Sequence, residues 1–350
     1  IARPDIALSL APLISANSDI RFIAFPFCQV ENGAAMIAKA IENNPGNGVV
    51  YWDLSYNNLK DIGAFCSALS LTKAPVFYLN LDCSGLNEQA TEILIRSISS
   101  NTKLWEIRYL SLRGAQFNDK IALLFIRHFE RLHAAKRFCL KSLVLADVQY
   151  DLNGIIVALG KWPQPIEHLD ISNTKIKERT YENLIHFISK SKTIKSLCVR
   201  NSGLKVDKLT GILKAFSVNS KVKTADVDLS NNKLNGKKLK QVIDLIKASD
   251  KSKWVGLSFD ENGLNAADLE ALIDLFKQLP QLKKVSLSRN FTKHTKNISQ
   301  TLVNLTTVPT LEHLVIQGSN DKGLGPALIP MLKSLKTSQY LKKLDIQMNH

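Results

Sequence analysis

One pattern recurs from end to end of the chain: apolar-x-x-apolar-x-apolar-x-x-(Asn or small)-x-apolar. Its clearest copies are Val49, Trp52, Leu54, Asn57, Leu59 and Trp254, Leu257, Phe259, Asn262, Leu264, while Thr224, Val227, Leu229, Asn232, Leu234 departs only at the first position. Weaker copies start at Ile20, Val76, Ile107, Leu140, Ile166, Ile194, Leu282, Leu311 and Leu341, so the steps between the twelve starts run from 26 to 33 residues. A segment this short cannot bury its apolar side chains against itself. It must stack on equivalent segments, so the pattern dictates a repeat array in place of the two or three globular domains that length alone would suggest.

The phases of the pattern predict local structure. Apolar residues two apart, such as Trp52 and Leu54, share one face of a short strand, because successive side chains of an extended chain alternate. The ninth position turns the chain. An Asn there can hydrogen-bond backbone groups of neighbouring turns that would otherwise be buried unpaired. It is Asn in the copies starting at Val49, Thr224, Trp254, Leu282 and Leu341, and Cys28, Ser84, Ala115, Val148, Thr174, Ser202 or Ser319 in the others, so a less regular middle is expected. Helix-length amphipathic runs follow the strands at 33–43, 88–99, 239–248 and 267–278, the last with Leu269, Leu272, Ile273 and Phe276 at three- and four-residue steps. This is the long leucine-rich-repeat texture. It predicts an α/β solenoid of about twelve repeats of ~29 residues, a right-handed horseshoe with a parallel sheet on its concave face and helices on its convex face. Residues 1–350 read as a single solenoid domain. Residues 6–19 read as the helix of an earlier repeat, the first residue is Ile1, and the chain stops at Asn349 and His350 with no helix after them, so both ends are expected to be cut mid-repeat.

The 350 residues are 45% apolar and 22% charged, enough for a large core and too apolar for disorder. No run approaches the ~18 uncharged apolar residues of a membrane-spanning helix, and no secretory signal opens the chain. Cys28, Cys66, Cys83, Cys139 and Cys198 are odd in number and lack zinc-knuckle spacing, which reads as reduced thiols in a cytosolic protein. The histidines make no His-Glu-x-x-His pair, and there is no Gly-x-Ser-x-Gly elbow or phosphate-binding glycine loop. The expectation is a protein that is not an enzyme and uses no metal or cofactor. Asn-x-Ser/Thr sequons at Asn290, Asn297 and Asn304 read as chance, because Asn290 occupies a ninth, buried position. The net charge is +15, yet residues 1–175 hold 17 Lys/Arg against 16 Asp/Glu while residues 176–350 hold 29 against 15. The basic character belongs to the second half.

The third, fifth, seventh and eighth positions of each copy face away from the predicted core. They supply Tyr51, Asp53, Ser55 and Tyr56, then Tyr78, Asn80, Asp82 and Cys83, then Tyr109, Ser111, Arg113 and Gly114, and later His168, Asp170, Asn173, Arg200, Asp226, Asp228, Asp260 and Glu261. Tyr51, Tyr78 and Tyr109 share one column. They read either as a hot spot for a protein partner or as rings packed together to stabilise the sheet. The aspartates would attract a basic partner or be plainly solvated. Such a face gathers none of the clustered Lys/Arg that phosphate backbones require, so nucleic acid is not an expected partner. The densest positive run is Lys233, Lys237, Lys238, Lys240, Lys247, Lys251 and Lys253. It reads as a patch for an anionic membrane or acidic protein, or as a solvated helix face.

The repeat type resembles the intracellular ribonuclease-inhibitor-like repeats. Within that class, three stretches resemble CARMIL, the family of actin-capping-protein regulators linking capping protein, Arp2/3 and myosin I: WDLSYNNL (52–59), VSLSRNFT (285–292) with the Lys-rich 293–299 after it, and LGPALIPMLKSLKTSQYLKKLDI (324–346). The resemblance implies a cytoplasmic scaffold of the actin cytoskeleton at the cell cortex, close to the plasma membrane, with actin-cytoskeleton regulators as partners. It also implies a lipid-binding domain before the repeats. After them it implies a helical segment through which a homodimer would form, a capping-protein-binding segment and a proline-rich tail. No Leu-x-His-x-Thr-x-x-Arg-Pro motif occurs here and the eleven prolines are scattered, so this stretch alone is not expected to bind capping protein in the family's manner. Two other readings stand beside it. One is an effector or immune-type repeat protein that recognises a single protein through its concave face. The other is a GTPase-activating repeat, disfavoured because no loop arginine stands out and no acidic tail follows.

Overall fold

In the computed structural model of the chain, the described residues are 5–27, 33–59, 62–137, 139–292, 294–337 and 340–349; Ile1, Cys28, Lys293 and His350, named above, lie outside them. Strands and helices alternate throughout. The first elements are α1 (Asp5–Ala16), β1 (Phe22–Ala24), α2 (Gly33–Glu42), β2 (Tyr51–Asp53), α3 (Ile62–Leu71), β3 (Tyr78–Asn80), α4 (Glu88–Ser100), β4 (Tyr109–Ser111), α5 (Asp119–Ala134), β5 (Ser142–Val144), α6 (Asn153–Lys161), β6 (His168–Asp170) and α7 (Glu178–Lys190). There follow β7 (Ser196–Cys198), α8 (Val206–Val218), β8 (Ala225–Asp228), α9 (Gly236–Ala248), β9 (Trp254–Ser258), α10 (Ala266–Phe276), β10 (Lys284–Ser286), α11 (Ile298–Leu305), β11 (His313–Val315), α12 (Ile329–Ser334) and β12 (Lys343–Asp345).

The chain divides into two compact units, Ile1–Phe187 and Ile188–His350. In the first, β1 to β6 pair in chain order, all parallel, so that Tyr51, Tyr78, Tyr109, Ser142 and His168 stand side by side. In the second, β7 to β12 do the same. The departure of the pattern at Thr224 has a structural counterpart: the pairing of β8 with β9 shifts between Ala225 and Asp226, which face Trp254 and Gly256. Ala225, one residue late, is fully buried where the first-position apolar residue would stand.

Fourth and sixth positions build the core. Trp52, Leu79, Leu110, Leu143 and Leu169 form one buried row of the first unit, and Leu54, Leu81, Leu112, Leu145 and Ile171 the next. Leu197, Val227, Leu257, Val285 and Leu314 continue the logic in the second. Each such side chain contributes about 1.5–3 kcal/mol by leaving water. The helices close the core from one side. In α10, Leu269, Leu272, Ile273 and Phe276 are buried as their spacing predicts, and the helix starts at a capping box in which Asn265 and Asp268 exchange side-chain-to-backbone hydrogen bonds.

The corners explain how every strand can stop after a few residues. The eighth position adopts the left-handed conformation at Phe27, Tyr56, Cys83, Asp147, Asn173, Asn201, Asn231, Glu261, Arg289 and Met348, and at Gly114. The ninth-position side chain then satisfies the backbone that the corner frees. Asn57 Nδ2 donates to the carbonyls of Phe25 and Leu54, each at 3.0 Å. Asn290 Nδ2 donates to Phe259 and Leu287, each at 2.9 Å, while its Oδ1 accepts from Asn262 N at 2.8 Å. Contrary to the expectation of an irregular middle, β3 to β6 remain in register. There hydroxyls replace the amide: Ser84 Oγ donates to Leu54 O at 3.0 Å, and Thr174 Oγ1 to Ile171 O.

Candidate functional site

Third- and fifth-position side chains lie on the strand face opposite the core. In the first unit the third-position column is Phe22, Tyr51, Tyr78 and Tyr109. Their ring centroids are 5.4, 3.9 and 4.1 Å apart in turn, and the tyrosine planes are within 11° and 7° of parallel. Ring contacts of this kind add about 0.5–1.5 kcal/mol each beyond burial. The column therefore stabilises the sheet and still presents ring edges and hydroxyls, because all three tyrosines are only half-buried. Burial, reinforced by Tyr51 and Tyr109, pushes the Tyr78 hydroxyl far above its usual range, so it remains a hydrogen-bond donor. A second stack stands at the left-handed corners: Phe27 and Tyr56 lie 4.1 Å apart at 8°, exposed by 69% and 39%.

Beside these rings, Arg113 gathers three carboxylates: Asp170 at 3.1 Å, Asp147 at 3.3 Å and Asp82 at 3.7 Å. Burial pushes the Asp82 carboxyl up, against the opposing hydrogen bond from Ser111 and the charge of Arg113. One guanidinium cannot neutralise three carboxylates, so the cluster keeps a negative excess. Asp53 adds to it on the adjoining strand, where its Oδ1 accepts from the amide and hydroxyl of Ser55 at 3.1 and 2.7 Å. Burial corrects the outward exposure expected of this face at four positions: Ser55 turns in at 4% exposure, and Ser111, Asp170 and Asn80 are covered, at 0%, 7% and 9%.

The acidic residues of the second unit are not a free stripe. Asp226 pairs with Lys284 at 3.3 Å. Asp228 accepts from the Cys198 thiol at 3.0 Å and from Ser230 N at 2.8 Å. Asp260 accepts from Ser286 Oγ at 2.6 Å and Ser288 N at 2.7 Å, and burial pushes its carboxyl up. Glu261 bridges Arg200 at 2.7 Å and Arg289 at 2.6 Å. Partial burial acts to raise the Glu261 carboxyl, but the hydrogen bond from Arg289 and the charge of Arg200 outweigh it and hold the group below its usual range. The sequence places Arg200 on the same face as these acids, but the pattern alone did not single out Lys284 and Arg289 as their partners. Writing the repeats in phase brings Lys284 and Arg289 close to them as well.

The lysine run also divides. Lys253 is a correction: it is buried at 7% exposure, and its ammonium donates to the carbonyls of Ser217, Asn219 and Phe216 at 2.6, 3.0 and 3.4 Å, at the end of α8. It is a helix-terminating cation and does not belong to a surface patch. Lys251 donates to Gln278 at 3.1 Å, and Lys247 is half-buried. Lys233, Lys237, Lys238 and Lys240 are exposed, and none makes an ion pair among the described residues. Among those residues no group of His, Cys, Asp and Glu could hold a metal ion, and no helix is long and apolar enough to cross a membrane. Cys66, Cys83 and Cys139 are free thiols, and burial pushes the Cys66 thiol up to about 12.

Comparison with known proteins agrees with this geometry. A family model described as Leucine Rich repeat matches residues 49–66, one of the clearest copies of the pattern. Protein CARMIL from Dictyostelium discoideum is 24% identical over 230 residues, which is 64% of this chain and 21% of that protein, so the chain spans about a fifth of the relative's length. Among solved structures, the yeast complex of Rad7 and Elc1 matches with a TM-score of 0.55 at 13% identity, over 92% of this chain and 76% of that one, a likeness of fold alone. The alternation of short parallel strands and helices, with buried apolar residues at fixed phases, makes each unit a leucine-rich-repeat array, and in sequence the chain is similar to Protein CARMIL over part of that protein's length.

Proposed function

We propose that the chain is a non-catalytic interaction scaffold within a CARMIL-like regulator of actin capping protein and actin assembly at the cell cortex, and that it docks a protein partner on the strand face of its first unit. The observation that carries the docking is the stacked Phe22–Tyr51–Tyr78–Tyr109 column beside a carboxylate cluster of negative excess. Rings already locked by stacking lose little side-chain entropy when a partner covers them, which is why tyrosine serves well as a rigid anchor. The surplus carboxylates favour a partner carrying Lys or Arg opposite Asp53 and Asp147, and they accelerate its approach. The cytoskeletal setting is supported by the similarity to Protein CARMIL.

The test is co-precipitation from cell extract with the triple variant Tyr51→Ala/Tyr78→Ala/Tyr109→Ala, with circular dichroism as the check on folding. Recovery of actin-cytoskeleton regulators should fall by about tenfold or more, as for a hot-spot cluster. Because removing three stacked rings also costs stability, Asp53→Asn/Asp147→Asn serves as a second variant that spares the stack. It should weaken the same interaction and steepen none of its salt dependence. An unchanged set of partners with both variants would contradict the proposal.

A further inference from the structure

The docking face of the first unit leaves the positive charge of the second unexplained. Where the turns after β7 and β8 lead into α8 and α9, the surface opens into a cleft of about 580 Å³, walled by Lys205, Lys233 and Lys238 with Asn201, Asn231 and Asp207. Its size is that of a small-molecule site. The three lysines form no ion pair among the described residues, and the single carboxylate in the wall is Asp207, so the cleft holds a surplus of two positive charges.

Lys233 adds an observation of a different kind. It occupies the tenth position of its repeat with φ at +56°. Three other repeats turn left-handed at that position, and each uses glycine: Gly85, Gly203 and Gly263, at +68°, +68° and +69°. Glycine takes that conformation at the least cost, so a lysine here makes the corner less stable than glycine would. The eighth position is left-handed with many residue types, whereas the tenth carries glycine in each of those other left-handed cases, so Lys233 is the departure that a task for its side chain would explain. Lys233 lines the cleft alongside two further ammonium groups.

We propose that this cleft binds the phosphate groups of a small polyanion, an organic polyphosphate met either free in solution or as a lipid headgroup. Lysine ammonium groups suit phosphate oxygens as mobile point charges, and three of them around one cleft select a ligand with more than one phosphate. The site is independent of the protein-docking face.

The experiment titrates the whole chain with inositol hexakisphosphate by calorimetry. One molecule should bind per chain. Lys205→Gln/Lys238→Gln should weaken binding by about tenfold or more, as for the loss of charge-assisted hydrogen bonds. Lys237→Gln/Lys240→Gln removes the same charge outside the cleft and should leave the affinity within about twofold. Lys233→Gly separates ligand binding from folding: it should weaken binding while raising Tm by about 1–3 °C, because glycine relieves the corner. Flotation with phosphatidylcholine vesicles, with and without phosphatidylinositol bisphosphate, distinguishes the sources. Capture by the doped vesicles, competed by inositol hexakisphosphate, identifies a headgroup; binding of the soluble ligand alone identifies a free polyphosphate. The proposal is overturned if the wild-type chain fails to bind, if the two double variants lose affinity equally, or if Lys233→Gly binds as the wild type does.

Discussion

His128 lies on α5 at 5% exposure, parallel to the Phe125 ring and tilted against Phe129, and its Nδ1 has no hydrogen-bond partner. Burial, with the charge of Arg131, drops its pKa from 6.5 to about 4. The unfolded chain therefore takes up this proton near pH 6.5, whereas the folded chain resists it down to about 4. The contribution of neutral His128 to stability is complete above pH 6.5 and is lost as pH falls towards 4, a change of about 3 kcal/mol. Urea unfolding at pH 7 and pH 4.5 should show that loss in the wild type and a smaller one in His128→Phe; equal losses in both would refute it. Lys253 makes a second residue-scale case. Lys253→Met keeps the buried stem but strips the donor from three carbonyls at the end of α8, and should cost about 2 kcal/mol. The exposed Lys237→Met should stay within about 0.5 kcal/mol. Neither role was legible in the sequence. Lys253 sits in a run of lysines that reads as one solvated face, and only the approach of α8, more than thirty residues earlier, separates it from the others. The left-handed eighth position was half legible. Asp147, Asn173, Asn201 and Asn231 carry the residue types that tolerate it, but Phe27, Tyr56, Glu261 and Arg289 do not.

At the scale of the element, strands and helices were legible because each has its own period, and the two alternate without overlap. The strand boundaries follow the pattern closely: β2, β3, β4, β5 and β6 all begin at the third position of a copy. The chain of ninth-position asparagines ties successive elements together. Asn262 Oδ1 accepts from the amides of Asn232 and Leu234 at 2.9 and 3.0 Å, and its Nδ2 donates to Leu229 O at 3.3 Å. Asn262→Ala would leave the part-buried Asn232 amide and the buried Leu234 amide unpaired at once, while Leu229 O keeps its bond from Asn232 Nδ2, and should cost about 2–4 kcal/mol by urea denaturation. Asn262→Asp keeps an acceptor for the amides and should cost less at a pH where it is protonated. A loss below 1 kcal/mol for the alanine variant would show that water replaces the amide and that the asparagine ladder is not a structural tie.

Across the whole molecule, the candidate surfaces were only partly readable. The tyrosine column was visible because its members share one phase of the repeat, and register alone then brings them together. The charge clusters were not, because Arg113 meets carboxylates from three other repeats, and which of several nearby charges pair is decided by side-chain geometry. The cleft of the second unit was invisible for a similar reason: it joins residues of two successive turns, and its most telling member is a lysine where other repeats hold glycine. The central functional claim is that partners meet the strand face of the first unit and not its helices. A photoreactive benzophenone side chain placed at Tyr78, in the stacked column, and in a second protein at Leu71, 55% exposed on α3, tests it in cell extract. A discrete cross-linked protein is expected from position 78 and none in common from position 71; the same products from both positions, or products from position 71 alone, would refute docking on the strand face.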